Sequence, residues 1–359
     1  MRVTIKDIAK QVGTVPSTVS RALNHKGGVG EKRRAQILKV AKQLGYFPNG
    51  AARGLVLNKT ENLGFLVNRR QSLRPASFYG EIMSGVEAVT SEKYYHLVFA
   101  TNDSSEALPR VIQTRRVDGL ILAGCDFKED LVLKLKGRGI PVVLVDNHLN
   151  DTQVDSVVID NVGGAYRAVV HLAKLGHQRI GFIVERLCDL SFAERFTGYK
   201  QALAAQGLSY AQALVAEGVQ EPNDRYDDGS RYGRIAMRRL LDRELPTAVF
   251  AANDATAIGA MQVIKEAGLR VPEDVAIVGF DDGPIARHTD PPLSTMRVFA
   301  EQMGRAAAKR LIELVEEPEQ PAVQIKLATE LVVRGSCGSK QRRSHTKKGR
   351  SFISATKSS

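Results

Sequence analysis

The sequence predicts a small all-α domain followed by a larger α/β body made of two lobes. Apolar residues recur at helical spacing in three short stretches of the first 45 residues, of which Ile5, Ile8 and Val12 form the first. From residue 63 onward, short β-rich runs alternate with helical patterns, which is typical of parallel sheets covered by helices. This body of about 275 residues is long for one open sheet, so two lobes are expected.

The helices of the first domain have recognisable ends. Gly13 interrupts the first apolar pattern, and Pro16 opens the second, because the N–H that proline lacks would be unpaired at that position. The third pattern begins near Glu31 and ends at Gly45. The first segment in which the chain crosses from one lobe to the other, here called a passage, is expected over residues 160–176. The strands of the body are predicted at 63–67, 95–100, 118–122, 141–146, 179–184, 247–251 and 275–280, and helices at 163–175, 192–206 and 254–267.

Charge is distributed unevenly along the chain, whose formal net charge is +12. Residues 1–60 carry twelve Lys and Arg against two acids, and residues 338–359 carry seven and no acid, which leaves −5 for residues 61–337. A basic head and tail on an acidic body indicate a polyanion bound at the ends; the alternative is a solvated basic surface. The tail lacks periodicity and is expected to be disordered.

Composition and motifs exclude several classes of protein. With 359 residues, 43% hydrophobic and 25% charged, the chain has globular rather than fibrous composition. No apolar run reaches the roughly 18 residues of a membrane span, and the charged N-terminus is unlike a signal peptide, so we expect a cytoplasmic, nucleoid-associated protein. Cys125, Cys188 and Cys337 predict neither a disulfide framework nor a metal site. No phosphate loop, G-x-S-x-G or zinc motif indicates an enzyme, and no cofactor is expected.

Residues 5–24 have the parts of a helix-turn-helix: an apolar first helix, a tight turn and a second helix with exposed polar side chains. Arg21 lies one turn beyond Ser17, and arginine makes the commonest specific base contact, a fork onto guanine. Small hydroxyls contact either bases or phosphates. The candidate DNA-binding residues of this helix are Pro16, Ser17, Thr18, Ser20 and Arg21. The motif alone is equally compatible with a three-helix scaffold whose basic face is only solvated.

A wider match is more specific than this motif. The strings TIKDIAKQVG, STVSRALN and LKVAKQLGYFPNGAARGL resemble the lactose-repressor (LacI/GalR) family of bacterial transcription regulators. The resemblance continues through the body, for example at HLAKLGHQRIGFI, RFTGYKQAL, PTAVFAAND and VAIVGFDD. It implies a periplasmic-binding-protein-like (type I) body of two lobes. It also implies base contacts from Pro16, Ser17 and Arg21 and phosphate contacts from Thr18 and Ser20.

The segment after the head resembles the hinge helix of the same family. Residues 48–56 match a helix from which a leucine enters the minor groove; Leu55 takes that position, and Arg53 lies beside it. Gly50 and Gly54 stand where the family more often has Ala and Ser. Because each glycine costs up to about 1 kcal/mol in a helix, this hinge is expected to depend strongly on DNA and partner contacts. The alternative for Leu55 is a linker residue that packs on its own body.

The body is expected to bind a small ligand between its lobes, at the carboxyl ends of strands. The resemblance implies effector contacts from Arg195, Asn253 and Asp281 and a stacking wall at Phe78 and Tyr79. Asp146, at the end of the strand predicted over 141–146, is a further candidate for effector binding. An arginine, an amide and a carboxylate together suit vicinal hydroxyls, which predicts a sugar, although a chain without Trp leaves purine-type effectors open. Considered singly, Arg195 fits a helix-start ion pair, Asn253 a helix cap and Asp281 a turn.

The sequence therefore predicts a transcriptional repressor that binds a palindromic DNA operator as a homodimer under allosteric control by a small ligand. Its expected parts are a helix-turn-helix domain (1–47), a hinge and linker (48–60), a two-lobe effector-binding and dimerisation domain (61–337) and a basic tail (338–359). Two alternatives stay open: a ligand-binding protein of the transport type, and a ligand-independent DNA-binding protein with a relict pocket.

Overall fold

The computed structural model describes residues 3–23, 27–46, 59–68, 77–102, 108–125, 127–149, 154–218 and 229–339. Contacts divide the chain into two compact units, Met1–Thr60 and Glu61–Ser359. The predicted fold class is confirmed, since a helical unit precedes an α/β unit that contains two sheets.

In the described part of the first unit, three helices pack around a small core. These are α1 (Ile5–Val12), α2 (Pro16–Leu23) and α3 (Glu31–Gln43). At the start of α1, the carboxylate of Asp7 accepts hydrogen bonds from the backbone N–H and the hydroxyl of Thr4, at 2.8 and 2.7 Å. These bonds also hold the pKa of Asp7 below its ordinary value. The core consists of Ile8, Ala9, Val12, Val19, Ala22, Ile37 and Ala41.

Lobe one of the second unit is a three-layer α/β sandwich. Its strands are β1 (Asn62–Asn68), β2 (His96–Asn102), β3 (Gly119–Ala123), β4 (Val142–Val145), β5 (Asp155–Ile159) and β11 (Gln324–Leu327). Its helices are α4 (Phe78–Glu92), α5 (Arg110–Gln113), α6 (Glu129–Lys136) and α11 (Ala300–Glu316). The strands form a parallel sheet in the order β11-β5-β4-β3-β1-β2. Helices α4 and α11 cover one face and α5 and α6 the other, so the central strands are buried on both sides.

Lobe two repeats this architecture. Its strands are β6 (Ile180–Val184), β7 (Val215–Glu217), β8 (Ala248–Ala251), β9 (Ala276–Asp281), β10 (Ser294–Arg297) and β12 (Glu330–Val332). Its helices are α7 (Asn161–Lys174), α8 (Leu190–Ala205), α9 (Ser230–Arg243) and α10 (Asp254–Glu266). The strand order is β12-β10-β9-β8-β6-β7, and only β12 among these runs antiparallel to its neighbour. Helices α7 and α8 pack on one face, and α9 and α10 on the other.

Within the described residues, three passages join the lobes. The chain leaves lobe one at residue 160, between β5 and α7, and returns at residues 298–299, between β10 and α11. It leaves again at residues 328–329, between β11 and β12. The first passage, expected over 160–176, is shorter than predicted, because α7 already packs on α8 of lobe two.

The predicted strands and helices of the body occur within about two residues of their expected ends, but other elements lack a clear sequence signal. Strands β7 and β12 have three residues each, and β11 alternates exposed and half-buried side chains, so none of them is an apolar run. Helix α9 contains five arginines, which obscure its apolar stripe. In the tail, residues 340–359 lie outside the described residues, so its expected disorder stays a prediction.

None of the described helices is both long enough and apolar enough to cross a membrane. Likewise, the described His, Cys, Asp and Glu side chains form no group of three or more that could hold a metal ion.

Candidate functional site

Helix α2 carries the candidate DNA-contacting side chains. It begins at Pro16, as the sequence predicts. Ser17 and Arg21 are exposed one turn apart, whereas Thr18 and Ser20 are half-buried. The opposite side of the helix packs into the core, so the face with Ser17 and Arg21 is turned to solvent. A short helix that presents a hydroxyl and a guanidinium in this way has the chemistry of a base-reading helix.

The turn before α2 is held on both sides. Gly13 ends α1 in a left-handed conformation (φ +66°), which glycine adopts without steric cost. The guanidinium of Arg33 in α3 donates to the Gly13 carbonyl at 2.7 Å, and the Thr14 N–H donates to the Ala9 carbonyl at 2.9 Å. The carbonyl of Val15 accepts the N–H of Thr18 at 3.0 Å and so starts α2 without a capping side chain. The angle between α1 and α2 is therefore fixed by α3.

The predicted hinge residues Arg53 and Leu55 lie outside the described residues, as do Gly50 and Gly54. Their expected contacts with the minor groove, and the expected weakness of this hinge helix, stay predictions that rest on the sequence alone.

Asp146 is the centre of a polar cluster between the two lobes. It directly follows β4 and has a left-handed backbone (φ +55°). The hydroxyl of Tyr79, at the start of α4 in the same lobe, donates to Oδ2 at 2.9 Å. The hydroxyl of Ser191, in α8 of lobe two, donates to Oδ1 at 2.8 Å. Phe78 packs edge-on against Tyr79, with ring centroids 5.1 Å apart. Asp146 therefore links the lobes through its two carboxylate oxygens.

Arg195 is the buried cation of the cluster. Its Nε donates to Oδ1 of Asn161 at 2.9 Å, and a terminal nitrogen donates to the Ala252 carbonyl at 2.5 Å. The same terminal nitrogen lies 3.6 Å from Oδ1 of Asp281. The guanidinium carbon lies 3.8 Å from the centroid of the Phe280 ring, a cation–π contact. Arg195 thus forms an ion pair with Asp281 across lobe two rather than with a neighbour at the start of its own helix.

Asn253 and Asp281 follow neighbouring strands of lobe two. The side-chain oxygen of Asn253 accepts the N–H of Thr256 at 2.8 Å, so Asn253 caps α10, as the simpler sequence interpretation proposed. Its side-chain nitrogen donates to Oε1 of Glu185 at 3.3 Å. Asp281 ends β9 with φ +125°, a conformation that is strained for any residue other than glycine. Both residues therefore have structural roles at the carboxyl ends of their strands.

The electrostatics of the cluster favour protonated carboxyl groups. Burial raises the pKa of Asp281 to about 7; the Arg195 charge opposes the rise, and the carboxylates of Asp146 and Glu185 add to it. Burial also raises the pKa of Asp146, against the effect of Arg195 and of two hydroxyl donors. A ligand that donates hydrogen bonds to these carboxylates would stabilise their charged form. The cluster is therefore suited to binding hydroxyl groups.

The sequence analysis did not predict several residues of this cluster. Glu185 directly follows β6, so the rule that ligands meet strand ends could have found it. Asn161 and Ser191 lie at helix starts, a signal that capping residues share. Phe280 belongs to a buried apolar strand and gives no signal of a site. By contrast, the residues predicted from the resemblance do come together. Tyr79 is bonded to Asp146, Arg195 is paired with Asp281, and Asn253 is bonded to Glu185. These pairs influence one another through charge, since Arg195 acts on Asp146, and both Asp146 and Glu185 act on Asp281.

Known proteins are similar to both units. Residues 4–49 match the family described as bacterial regulatory proteins, lacI family, and residues 169–337 match the periplasmic binding protein-like domain. The HTH-type transcriptional regulator CelR of Thermobifida fusca is 36% identical over 342 residues, which cover 93% of this chain and 98% of that protein. The chain belongs to the lacI family of bacterial regulatory proteins. The resemblance seen in the sequence is thereby confirmed.

Two further comparisons agree with the assignment of the chain to the lacI family. The HTH-type transcriptional repressor PurR of Haemophilus influenzae (strain PittEE) is 33% identical over 342 residues, covering 93% of this chain and 98% of that protein. Among solved structures, the transcriptional regulator CelR–cellobiose complex aligns with a TM-score of 0.68 and 33% identity, over 93% of this chain and 100% of that one. This LacI-family protein is thus a transcriptional regulator with a helix-turn-helix unit and a periplasmic-binding-like unit.

Proposed function

We propose that this LacI-family protein is a repressor that binds a palindromic operator as a dimer and responds to a neutral sugar bound between its lobes. The observation that carries the proposal is the cluster of Asp146, Arg195 and Asp281. It joins both lobes at the carboxyl ends of strands, where open α/β sheets bind their ligands. A ligand that contacts both lobes can bias their relative orientation, which is the requirement for a regulatory signal.

The chemistry of the cluster favours an uncharged ligand with several hydroxyl groups. The carboxylates of Asp146 and Asp281 are hydrogen-bond acceptors, and Arg195 is a fixed donor beside them. Asp281 balances the charge of Arg195 when it is ionised, and the nearby carboxyl groups of Asp146 and Glu185 disfavour an anionic ligand. The rings of Phe78 and Tyr79 stand next to Asp146 and offer apolar surface. These features suit a sugar, and the similar CelR protein is known in complex with cellobiose.

On the DNA side, Ser17 and Arg21 are proposed to read base edges in the major groove, because they are exposed one turn apart. The excess of positive charge over residues 1–60 supplies attraction to phosphates. The remaining proposed contacts are Pro16 to bases, Thr18 and Ser20 to phosphates, Arg53 to a phosphate or to the minor groove, and Leu55 as a wedge in the minor groove.

A dimer follows from the size of the reading helix. Helix α2 has eight residues, enough for the base edges of one half-site only. Two copies related by a two-fold axis would read a palindrome whose half-sites are about 34 Å apart. Two hinges would then meet at its centre, where a pair of leucine wedges can bend the duplex.

The test uses the full-length chain. Duplexes are selected from a random library, and affinity for the best one is measured at fixed salt with and without cellobiose, ribose or hypoxanthine. Melting curves with the same three compounds report binding directly, because a ligand that binds the folded state raises the melting temperature. We expect a sugar to raise it and to change operator affinity by about 5- to 150-fold.

Two variants separate the two activities. Arg21→Ala should weaken binding to the selected duplex and keep the thermal shift with sugar, while Asp281→Asn should do the reverse. A monomer that binds every duplex equally contradicts the proposal. Specific DNA binding without any ligand shift would indicate a relict pocket, and a shift with hypoxanthine alone would indicate a purine-type effector.

A further inference from the structure

The turn that follows Asp281 contains an ion cluster around a buried carboxylate, here called the Asp282 cluster. It is made of Asp282, Arg297, Arg334 and the exposed Glu330. The side chain of Asp282 is 1% exposed. Nε of Arg297 donates to its Oδ2 at 2.7 Å, and a terminal nitrogen of Arg334 donates to its Oδ1 at 2.5 Å. Arg297 also donates to Oε2 of Glu330 at 3.2 Å. Both oxygens of one buried carboxylate are thus bound by two arginines, which is strong, charge-assisted bonding.

This cluster holds the backbone that aims Asp281. Asp281 and Asp282 have successive positive φ angles, +125° and +58°, a conformation that a residue other than glycine keeps only when its surroundings impose it. The ion pairs of Asp282 hold the middle of the turn. The N–H of Gly283 donates to Oδ2 of buried Asp254 at 2.9 Å and holds its end. Without these anchors, the turn would relax and the Asp281 carboxylate would change direction.

The same cluster reaches two passages between the lobes. Arg297 is the last residue of β10, and α11 of lobe one begins three residues later. Glu330 is the first residue of β12, directly after the passage at residues 328–329. In addition, the N–H of Val298, inside the other passage, donates to the Asp281 carbonyl at 3.1 Å. Arg297 is therefore bonded to Asp282 in the turn and to Glu330, which directly follows the passage at residues 328–329. It also directly precedes the passage at residues 298–299.

We propose that Arg297 and Asp282 are positioning residues that couple the Asp281 carboxylate to the passages between the lobes. The proposal rests on the proposed function, since it specifies how the site around Asp281 regulates DNA binding. A ligand that pulls Asp281 displaces the turn. Arg297 carries that displacement to residues 298–299 and 328–329, whose backbone sets the relative orientation of the lobes.

The test compares Arg297→Met with a matched control of the same chemistry, Arg270→Met. Arg270 pairs with Asp274 at 2.9 Å on the exposed surface of lobe two and touches neither the turn nor a passage. For each full-length variant, the affinity for the selected duplex is measured without cellobiose and with saturating cellobiose, and the ratio of these two affinities is compared. Because the sugar is saturating, a variant that binds cellobiose more weakly does not change the ratio for that reason alone. We expect Arg297→Met to reduce this ratio by about 2- to 30-fold and Arg270→Met to leave it unchanged. Arg297→Lys, which keeps the charge, should restore part of it.

Hydrogen exchange provides a second readout that needs no ligand. In Arg297→Met, the amides of Gly283 and Val298 should lose protection, while protection in the strand centres of lobe two stays intact. Normal protection together with a wild-type ratio in Arg297→Met would overturn the proposal, as would an equal loss of ratio in Arg270→Met. If the wild type shows no cellobiose response, the proposed sugar response fails, and the exchange of these two amides alone decides the present inference.

Discussion

The affinity for a sugar should depend on pH through the ionisation of Asp281. The pKa of this group is raised to about 7 by burial, so the carboxyl group is mostly protonated at pH 6 and mostly ionised at pH 8. Only the ionised form can accept a charge-assisted hydrogen bond from a hydroxyl group on each of its two oxygens. Because the apparent Kd varies inversely with the competent fraction, it should be about tenfold higher at pH 6 than at pH 8.

The stability of the folded protein should change with pH in the opposite direction to the sugar affinity. The folded protein holds this proton more tightly than an unfolded chain, in which the pKa of Asp is about 3.9. The stabilisation from protonated Asp281 is therefore complete below about pH 4 and is lost as the pH rises through about 7. A bound sugar that keeps Asp281 ionised removes the proton, so binding at pH 7 should release about half a proton per site.

Calorimetry of cellobiose binding at pH 6, 7 and 8, repeated in two buffers with different ionisation enthalpies, measures both the affinity and the proton release. The pKa of Asp146 is also raised, so its ionisation would produce the same sign. Asp281→Asn assigns the effect: this variant should bind weakly and with little dependence on pH. A wild-type Kd that stays constant from pH 6 to 8, or a heat that does not depend on the buffer, would refute the reasoning.

Three other predictions concern DNA binding and stability. Arg21→Ala should weaken binding to the selected duplex by about 1–3 kcal/mol and relax the preference at one base pair, which a titration against single-base variants of the site measures. Gly85→Ala should destabilise the second unit by about 1–3 kcal/mol, since its Cβ would lie 2.0 Å from a backbone carbonyl of α11; in denaturant melts, Gly27→Ala, with open space around it, is the control. Arg310→Met should lower the free energy of unfolding by about 3–5 kcal/mol, because it leaves the buried Asp155 carboxylate, which Arg310 binds at 2.6 Å, without its cation. The addition of Asp155→Asn should recover part of this loss. A double variant that is no more stable than the single one contradicts this account.

The parts of the fold that the sequence predicts are those in which local pattern and tertiary packing agree. Helix α2 starts at Pro16 and Gly13 follows the last residue of α1, because proline fixes φ at a helical value and glycine adopts the left-handed conformation after a helix without steric cost. The central strands are buried on both faces, so their apolar runs are visible without any knowledge of the neighbours. Strand β11 is different: its four residues alternate between exposed and half-buried, and only pairing with β5 makes it a strand.

Without the family resemblance, the candidate site was predictable only where a residue type is tied to a strand end. Asp146 and Asp281 follow this rule, and the structure places both in one cluster with Arg195. Asn253 shows the limit, since a helix cap and a ligand contact require the same residue at the same position. The cation–π contact of Phe280 could not be predicted, because the side chain that faces Arg195 depends on how α8 packs against β9.

Whether a ligand strengthens or weakens operator binding depends on whether it breaks or keeps the hydrogen bond between the lobes at Asp146. The hydroxyl of Ser191 in lobe two donates to one oxygen of this carboxylate, and the hydroxyl of Tyr79 in lobe one donates to the other. A ligand changes the balance between two lobe orientations only through its differential affinity for them. A sugar hydroxyl that replaces Ser191 at Asp146 removes a bond between the lobes, whereas one that binds Arg195 and Asp281 alone leaves that bond in place. Ser191→Ala removes the same bond without a ligand, so in the first case its operator affinity should shift in the same direction as that of the sugar-bound protein. An operator affinity equal to that of the sugar-free wild type would show that this bond does not set the response.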